Sequence, residues 1–320
     1  MDYTLTESQR EVLGAVRPLL ARHAGTQRAR EVMSGAGVDM KLYSELKEFG
    51  VFSTDFAAEF GGHVLSVIIE EAVGAASILP VGTEVLLRSV LGLESLEAPI
   101  TLTTSREESP VAFGAQAGTL LLIEDNTVSV VEDGYQIGTE NRTFGIPVAP
   151  VAIPPHARTR TLEVDAQGLI GAWRLALAAE IAGAATAGLA LTREHLTARK
   201  QFGRPLASLQ AIQHRLADLH VRIEGTRWLA RYAGWTGADP TASAIAATHA
   251  AETAKTAIWE LQQLQGAIGF TKEYDLYLFT LRMHVLRLLL DGSRGGHAIE
   301  AAERKWGSAA RTRHAVEAAP

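Results

Sequence analysis

The residues best suited to bind a ligand follow one another from Arg199 to Leu206, in the order RKQFGRPL, with Gln210 shortly after them. This stretch lies between two long helical patterns. An arginine and the backbone amides of a glycine-containing turn at the start of a helix can hold a phosphate group. Phe202 could pack on an adenine ring, and Gln210 would offer an amide early in the next helix. The pattern indicates a nucleotide phosphate site; the alternative is an ordinary helix corner with a surface arginine.

Other polar clusters do not predict a site. His214 and His220 are six residues apart on one predicted helix, so they do not share a face of it. We interpret them as solvated or interface histidines and predict no metal site. Arg282, His284 and Arg287 are predicted to form a polar helix face near a subunit contact.

The composition excludes several classes of protein. The chain has 320 residues, of which 47% are hydrophobic and 21% charged, a balance that can bury a sizeable core. A net charge of -6 does not suggest the basic face of a nucleic-acid-binding protein. Because no cysteine is present, disulfides, cysteine-ligated metals and thiol catalysis are excluded. Neither a signal peptide nor a run of about 18 apolar residues is found, which predicts a soluble, cytoplasmic protein.

The first hundred residues carry helical patterns. Thr6 is predicted to cap a first helix whose apolar residues recur at spacings of three and four. Gly50 predicts the end of a later helix. The segment from Phe56 to Gly62 is predicted to be a loop, and helical patterning resumes at Val64.

The middle of the chain predicts strands, and the rest predicts helices. Thr119–Ile123 and Thr127–Val131 are short β-type runs joined by turn residues, which predicts a hairpin. From Leu169 onward, four long helical patterns predict a bundle. The predicted fold is mainly α, with an N-terminal helical domain at residues 1–105, a short β-domain at 106–165 and a helical bundle at 166–320.

Taken together, the motifs resemble those of the acyl-CoA dehydrogenase family. The stretch from Arg199 to Gln210 resembles the family's Arg-x-x-Phe-Gly-x-Pro-Leu pattern with a following Gln. Gln263–Phe270 (QLQGAIGF) resembles its Gln-x-x-Gly-Gly-x-Gly-Phe segment. Leu5–Arg10 matches its Leu-Thr-Glu-x-Gln-Arg opening, and Glu59–Gly62 its Glu-Tyr-Gly-Gly loop. The order and spacing of these motifs make the resemblance specific, from the first helix to about residue 305, except in the middle.

The resemblance implies an FAD site shared between paired subunits. One subunit of such a pair holds the flavin ring, chiefly with its β-domain, and the C-terminal domain of its neighbour holds the ADP part. Carried over, Arg199 would contact the pyrophosphate, and Gln201 and Phe202 would line the adenosine end. The rest of that wall would be Gln210, Gln263 and Gly266. Ala267 stands where the family has a second glycine, and its methyl group would crowd a close backbone approach.

Two parts of the family pattern are missing from this chain. The family's β-domain is about twice as long as the stretch available here, and its Thr-Glu-Pro-x-Ala-Gly-Ser-Asp and Trp-Ile-(Ser/Thr)-Asn segments have no counterpart. The flavin-ring contacts are therefore predicted to be deleted. The family's glutamate base occupies one of two positions. The first corresponds here to Trp173, which cannot act as a base and is followed by the family-like Arg174.

The second base position lies after the last bundle helix, in a Glu-Gly-Thr-like segment. The matching residues here are Asp291-Gly292-Ser293, with a slip of one residue. Asp291 is therefore the candidate catalytic base, since dehydrogenation needs a carboxylate at the α-carbon. The alternative is a helix-end carboxylate beside a glycine turn.

These observations predict a non-catalytic subunit of a flavin-dependent acyl-CoA dehydrogenase. The chain resembles the short subunit of actinobacterial α2β2 enzymes that act on steroid side chains or rings. A full-length homologous subunit would supply the flavin-ring contacts and the base. The substrate would be a bulky, steroid-derived acyl-CoA, and electron-transfer flavoprotein would accept the electrons. Two alternatives stay open: a self-sufficient homo-oligomeric dehydrogenase that uses Asp291, and a flavin-free structural or interaction protein.

Overall fold

The computed structural model describes residues 4–88, 92–290, 300 and 303–305, and helices and strands follow one another there in three blocks. The first block consists of α1 (Glu7–His23), α2 (Thr26–Ser34), α3 (Met40–Glu48), α4 (Thr54–Gly74) and a π-helical turn (Thr83–Arg88). The second consists of β1 (Ile100–Thr103), β2 (Ser109–Ala112), β3 (Thr119–Glu124), β4 (Thr127–Asp133), β5 (Gln136–Ile137), β6 (Val148–Ala152) and β7 (Arg158–Leu162). The third consists of α5 (Ala166–Ala198), β8 (Lys200–Gln201), β9 (Arg204–Pro205), α6 (Gln210–Trp235), α7 (Pro240–Gln265) and α8 (Leu276–Leu289).

This order confirms the predicted mainly α fold with a short β insert and a C-terminal bundle. Thr6 caps α1 as predicted: its hydroxyl accepts from the amide of Gln9 at 3.2 Å, and the Gln9 side chain accepts from the Thr6 amide at 3.1 Å. The predicted domain limits after residues 105 and 165 stay predictions; the strands of the two small sheets extend from Ile100 to Leu162.

The predicted loop from Phe56 to Gly62 is wrong, because this segment belongs to α4. The helix is kinked at Gly61, whose φ is 78°. The kink brings Gly62 against Gly234 of α6: a Cβ on Gly62 would lie 2.6 Å from the Gly234 carbonyl oxygen. The two glycines therefore let α4 and α6 cross at backbone contact, a tertiary reason for glycine that resembles a loop signal in the sequence.

The β insert is a small sandwich of two sheets. One sheet has the order β1-β3-β4-β7, with β1 and β3 parallel, and the other has the order β2-β6-β5. β3 and β4 form the predicted hairpin, with Asp125 and Asn126 at positive φ in its turn. Side chains alternate along β3: Leu120 and Leu122 pack between the sheets, while Leu121 and Ile123 join the core under the helices.

Helix α5 is the centre of the bundle. By length and composition it could span a membrane, but 72% of its most apolar stretch is buried inside the protein, as in the core helix of a soluble fold. α5 and α7 run parallel, since Gln265 at the end of α7 donates to Thr192 near the end of α5 at 3.0 Å. α6 and α7 run antiparallel, since Arg215 pairs with Glu260 at 2.7 Å. The C-terminal ends of α5 and α7 and the N-terminus of α6 therefore lie together; we call this the bundle end.

The prediction that Arg282 belongs to a polar helix face is wrong, because its side chain is buried. Its side chain is 2% exposed, and it donates to Glu180 of α5 at 2.7 Å and to the carbonyl oxygen of Ser77 at 2.6 Å. Glu180 also accepts from the amide of Gly82 at 3.0 Å. This buried ion pair joins α8, α5 and the segment after α4, so the N-terminal helices and the bundle share one core.

A half-buried histidine makes the packing of α6 on α7 sensitive to acid. His249 lies within 3.0 Å of Thr226 and 3.3 Å of Thr253, and burial lowers its pKa, with the charge of Arg222 lowering it further. Because the unfolded chain takes up this proton at an ordinary pKa of about 6.5, stability present above that pH is lost as the pH falls through it toward the lowered folded pKa. We expect the urea midpoint to fall between about pH 7.5 and about pH 5.5. In His249→Gln this part of the pH dependence should disappear, and an unchanged profile would contradict the assignment.

Candidate cofactor-binding site

The predicted phosphate-binding stretch forms a two-residue hairpin that projects from the bundle end. Lys200 pairs with Pro205 and Gln201 with Arg204, and the chain turns at Phe202 and Gly203, whose φ values are 54° and 77°. Both turn residues at positive φ are typical of the tight turns that match the twist of two strands. The turn leaves the Phe202 side chain 86% exposed. The hairpin therefore exposes an aromatic ring at the bundle end.

Arg199 stands at the base of this hairpin and closes α5. Its amide donates to the carbonyl oxygen of His195, and its carbonyl oxygen accepts from the amide of Leu206 at 2.9 Å. These bonds fix the backbone and leave the guanidinium exposed. Among the described residues it has no ion-pair partner. A fixed arginine with all its donors available is suited to bind a phosphate or pyrophosphate.

The fold brings the other predicted cofactor-binding residues to the same end. Gln210 is the first residue of α6, Gln263 lies in the last turn of α7, and Gly266 follows α7 with a φ of 67°. The side chains of both glutamines are exposed, and neither has a hydrogen-bond partner among the described residues. No described side chain caps the N-terminus of α6, so the amides of Gln210 and Ala211 are available to donate to an anion. That these residues bind a cofactor stays a prediction; the structure brings them together.

The residues of the bundle end fit the ADP part of FAD. Three kinds of group are present side by side: a cation and helix amides for the pyrophosphate, an exposed ring for the adenine, and two free amides for ring or sugar atoms. An adenine stacked on Phe202 would also cover apolar surface that is otherwise in water.

Sequence reasoning missed the residues that hold this site in place. Gln265 is 5% exposed and ties the end of α7 to Thr192 of α5, so it fixes Gly266 relative to Arg199. A Cβ on Gly269 would lie 2.7 Å from the carbonyl oxygen of Gln262, so this glycine is required for packing. Both lie in the Gln263–Phe270 segment, and their role depends on contacts with α5 and α7 that the segment alone does not reveal.

Ala267 offers a direct test of the departure from the family pattern. Ala267 is exposed in the 3-10 helix Gly266–Phe270, so glycine can replace it without opening a cavity in the core. If its methyl group crowds the bound cofactor, Ala267→Gly should tighten FAD binding by a few-fold, measured by flavin fluorescence titration. Gly269→Ala serves as the contrast, because it should lower stability. Weaker FAD binding by Ala267→Gly would show that the methyl group contacts the cofactor favourably.

The opposite end of α5 carries the position that corresponds to the family's base. Trp173 is half-buried there, beside Arg174. From Trp173 to Arg199 the helix advances 26 residues, or about 39 Å at 1.5 Å per residue. The bundle end and the base position of one chain are therefore far apart.

Arg174 is held by a cluster of charges. It donates to Glu300 at 2.6 Å, and Arg304 donates to Glu300 at 3.0 Å and to the Gln167 side chain at 2.7 Å. Burial alone would raise the pKa of Glu300, but the hydrogen bonds and charges of the two arginines lower it below its usual value. Asp291, the candidate base predicted from the sequence, lies outside the described residues.

The comparisons with known proteins agree with the motifs. Residues 165–304 match the model of the acyl-CoA dehydrogenase C-terminal domain. The chain is 30% identical over 310 residues to the acyl-CoA dehydrogenase IpdE2 of Mycobacterium tuberculosis, covering 91% of this chain and 95% of the relative. It is 31% identical over 313 residues to IpdE2 of Mycolicibacterium smegmatis, covering 89% of this chain and 96% of the relative.

Solved structures support the fold. A chain of the Tcur3481-Tcur3483 steroid ACAD G363A variant superposes with a TM-score of 0.78 at 24% identity, covering 96% of this chain and 100% of that chain. A chain of the ChsE4-ChsE5 complex from Mycobacterium tuberculosis superposes with a TM-score of 0.77 at 21% identity, covering 95% and 99%. The three-block order of helices, sandwich and bundle is therefore shared with both.

Proposed function

Because the chain belongs to the acyl-CoA dehydrogenase family, we propose that it is the short subunit of a heteromeric, flavin-dependent acyl-CoA dehydrogenase. Enzymes of this family are oxidoreductases that act on acyl-CoA, and their cofactor is FAD. In the proposed complex, this chain holds the ADP side of FAD. A full-length partner subunit holds the flavin ring and supplies the base.

The length of α5 is the observation that carries the proposal. The side chains suited to ADP and the position suited to a base are about 39 Å apart on one helix. An FAD bound at the bundle end therefore reacts at a centre to which Trp173 of the same chain does not belong. A second subunit must meet the bundle end and complete that centre.

Each residue of the bundle end has a distinct role in the proposal. Arg199 and the amides at the start of α6 bind the pyrophosphate, Phe202 stacks on the adenine, and Gln201 contacts the adenosine end. The remaining contacts come from Gln210, Gln263 and Gly266. When bound, FAD supplies the acceptor for the hydride that leaves the β-carbon of the acyl group. The fixed hairpin and the Thr192–Gln265 contact hold the binding groups in position.

The base is assigned to the partner because the flavin bound at this chain's bundle end reacts far from this chain's own base position, which in any case carries an indole instead of a carboxylate. Dehydrogenation moves the α-proton to a base while the β-hydrogen leaves as a hydride. Trp173 cannot accept that proton, and it occupies the base position on α5. We propose that a glutamate of the partner subunit takes the proton.

The substrate and the acceptor are proposed at the level of chemical class. One superposed chain comes from a protein described as a steroid ACAD, and the fold agrees over 96% of this chain. We therefore propose a bulky, steroid-derived acyl-CoA as substrate. Electron-transfer flavoprotein is the proposed acceptor and the cytoplasm the proposed compartment.

The ratio of FAD to protein tests whether this chain binds FAD only together with a partner subunit. The chain is purified alone and with a co-expressed full-length homologue, and the visible flavin absorbance is compared with the protein concentration. The proposal expects little flavin on the chain alone and half an FAD per chain in the complex. Full FAD occupancy of the chain by itself would contradict it and favour a self-sufficient dehydrogenase.

Replacing Asp291 provides a second test between the heteromeric proposal and a self-sufficient dehydrogenase. If the partner supplies the base, Asp291→Asn in the complex should leave the rate of flavin reduction by an acyl-CoA within about twofold, since no proton transfer depends on it. The matched change, glutamate to glutamine at the partner's base, should abolish reduction. A loss of about a hundredfold or more in Asp291→Asn would assign the proton transfer to this chain.

A further inference from the structure

Two cavities meet at Trp173. An outer pocket of about 460 Å³ opens to the surface, and an inner cavity of about 30 Å³ lies deeper between α5, α8 and the β insert. Leu102, Trp173 and Leu289 line both of them. The indole therefore stands in the partition between the two spaces.

Removing the indole would join the two spaces into one site. The outer pocket is lined in part by Ser105, Ser109 and Arg174. The inner cavity is lined by Phe113 and Leu177, and by Glu180 among its polar residues. Both spaces are lined mainly by apolar atoms with a few polar groups, which is the usual character of a site for a ligand with an apolar part.

The helix that carries the indole is in close backbone contact with two of its neighbours. Next to it, a Cβ on Gly171 would overlap the carbonyl oxygen of Ala238, and further along α5 a Cβ on Gly183 would overlap that of Glu70. At both points α5 already touches neighbouring backbone, so it has no room to shift toward those neighbours. Opening the partition requires a change of the Trp173 side chain itself.

We propose that Trp173 closes an acyl-binding cavity in this chain, so that the outer pocket does not admit the apolar part of an acyl thioester. This inference rests on the proposed function and adds a second reason why this subunit does not catalyse the reaction at its own base position. Losing the carboxylate removes the proton acceptor, and the indole that replaces it fills the space where the acyl group would lie. Restoring a carboxylate elsewhere in the pocket would therefore not restore the reaction.

Replacing Trp173 with glycine tests the proposal through binding. The full chain is titrated with indole and with the hexanoyl thioester of N-acetylcysteamine. Trp173→Gly is expected to bind both saturably, with a rise in Tm of about 2 to 3 °C at tenfold excess over Kd. The wild-type chain should show neither effect. If the chain is insoluble alone, the complex is titrated instead and the sites added over the wild-type complex are counted, because the partner subunit binds the thioester in both.

Trp259→Gly is the matched control, because the Trp259 side chain is 69% exposed on α7 and its removal leaves no enclosed space. It should bind neither probe. If Trp173→Gly binds indole without the thioester, the cavity is not connected to the outer pocket and the proposal fails. If the wild-type chain binds the thioester as well as the variant does, Trp173 is not a barrier and the proposal also fails.

Should Trp173→Gly fail to fold, Trp173→Leu keeps apolar contacts and leaves a smaller space. That variant is expected to bind benzene and to reject indole; rejection of benzene by the folded variant would overturn the proposal. None of these readouts involves flavin. Their failure is therefore distinguishable from failure of the proposed function, which is decided by the FAD stoichiometry.

Discussion

Arg282→Leu is expected to lower the free energy of unfolding by about 3 to 5 kcal/mol, because it leaves the buried carboxylate of Glu180 without its counter-ion. The same change removes the donors to the carbonyl oxygens of Ser77 and Leu79, which water cannot reach. For a chain of 320 residues, whose unfolding entropy is about 0.67 kcal/mol/K, the loss corresponds to a fall in Tm of roughly 4 to 8 °C. Thermal unfolding of the full chain, followed by circular dichroism, measures it.

A surface ion pair is the control for this prediction. Arg160 donates to Glu132 at 3.1 Å on the edge of a sheet, and the Arg160 side chain is 54% exposed. Arg160→Leu should cost less than about 1 kcal/mol, because exposed pairs contribute little. Equal losses for the two leucine variants would show that the burial of Arg282 does not determine its contribution.

The double variant separates the charge from the hydrogen bonds. Replacing Arg282 and Glu180 together by leucine removes both buried charges, and such replacements are often close to neutral elsewhere. Here we expect only partial recovery, because the amide of Gly82 and the carbonyl oxygens of Ser77 and Leu79 lose their partners as well. A double-mutant cycle gives the coupling energy directly.

Arg199→Ala is expected to weaken FAD binding by about 10- to 100-fold, since a charge-assisted contact to the pyrophosphate contributes roughly 1.5 to 3 kcal/mol. The guanidinium is exposed, so the stability of the apo chain should stay within about 0.5 kcal/mol of wild type. Flavin retention by the purified complex and the Kd for added FAD both measure the effect.

Two further variants define what Arg199 contributes. Arg199→Lys keeps the charge and loses the planar arrangement of donors, so we expect an intermediate Kd. Arg193→Ala removes an exposed arginine from the same helix, well before the hairpin, and should leave FAD binding unchanged. If Arg193→Ala weakens binding as much as Arg199→Ala does, the effect is a general one of charge and the phosphate assignment is wrong.

Local patterns in the sequence were sufficient to predict those elements whose structure depends on residues close together in the chain. The capping residue Thr6, the β3–β4 hairpin and the bundle helices all follow from such patterns. The loop prediction for Phe56 to Gly62 was wrong because Gly61 kinks the helix and Gly62 allows its crossing with α6, which is distant in the chain. Arg282 was placed on the surface for the same reason: its partner Glu180 lies 102 residues away.

The candidate site divides in the same manner. Arg199 to Gln210 could be recognised because the hairpin and the start of α6 are contiguous in the chain. The position of Trp173 between two cavities could not, because Leu102 and Leu289 approach it from the β insert and from α8. The spacing of residues in the sequence does not reveal a contact among three elements that are distant in the chain.

The contact of Arg282 with Ser77 also affects folding during translation, because α8 is synthesised long after the segment that it contacts. The two residues are 205 positions apart, and at about 5 to 20 residues per second the ribosome needs roughly 10 to 40 s to synthesise the chain between them. During that time the N-terminal helices have been made, but the carbonyl oxygens that α8 will bind have no partner. A nascent chain stopped before α8 should therefore present unfinished, protease-sensitive N-terminal helices and depend on chaperones until translation resumes.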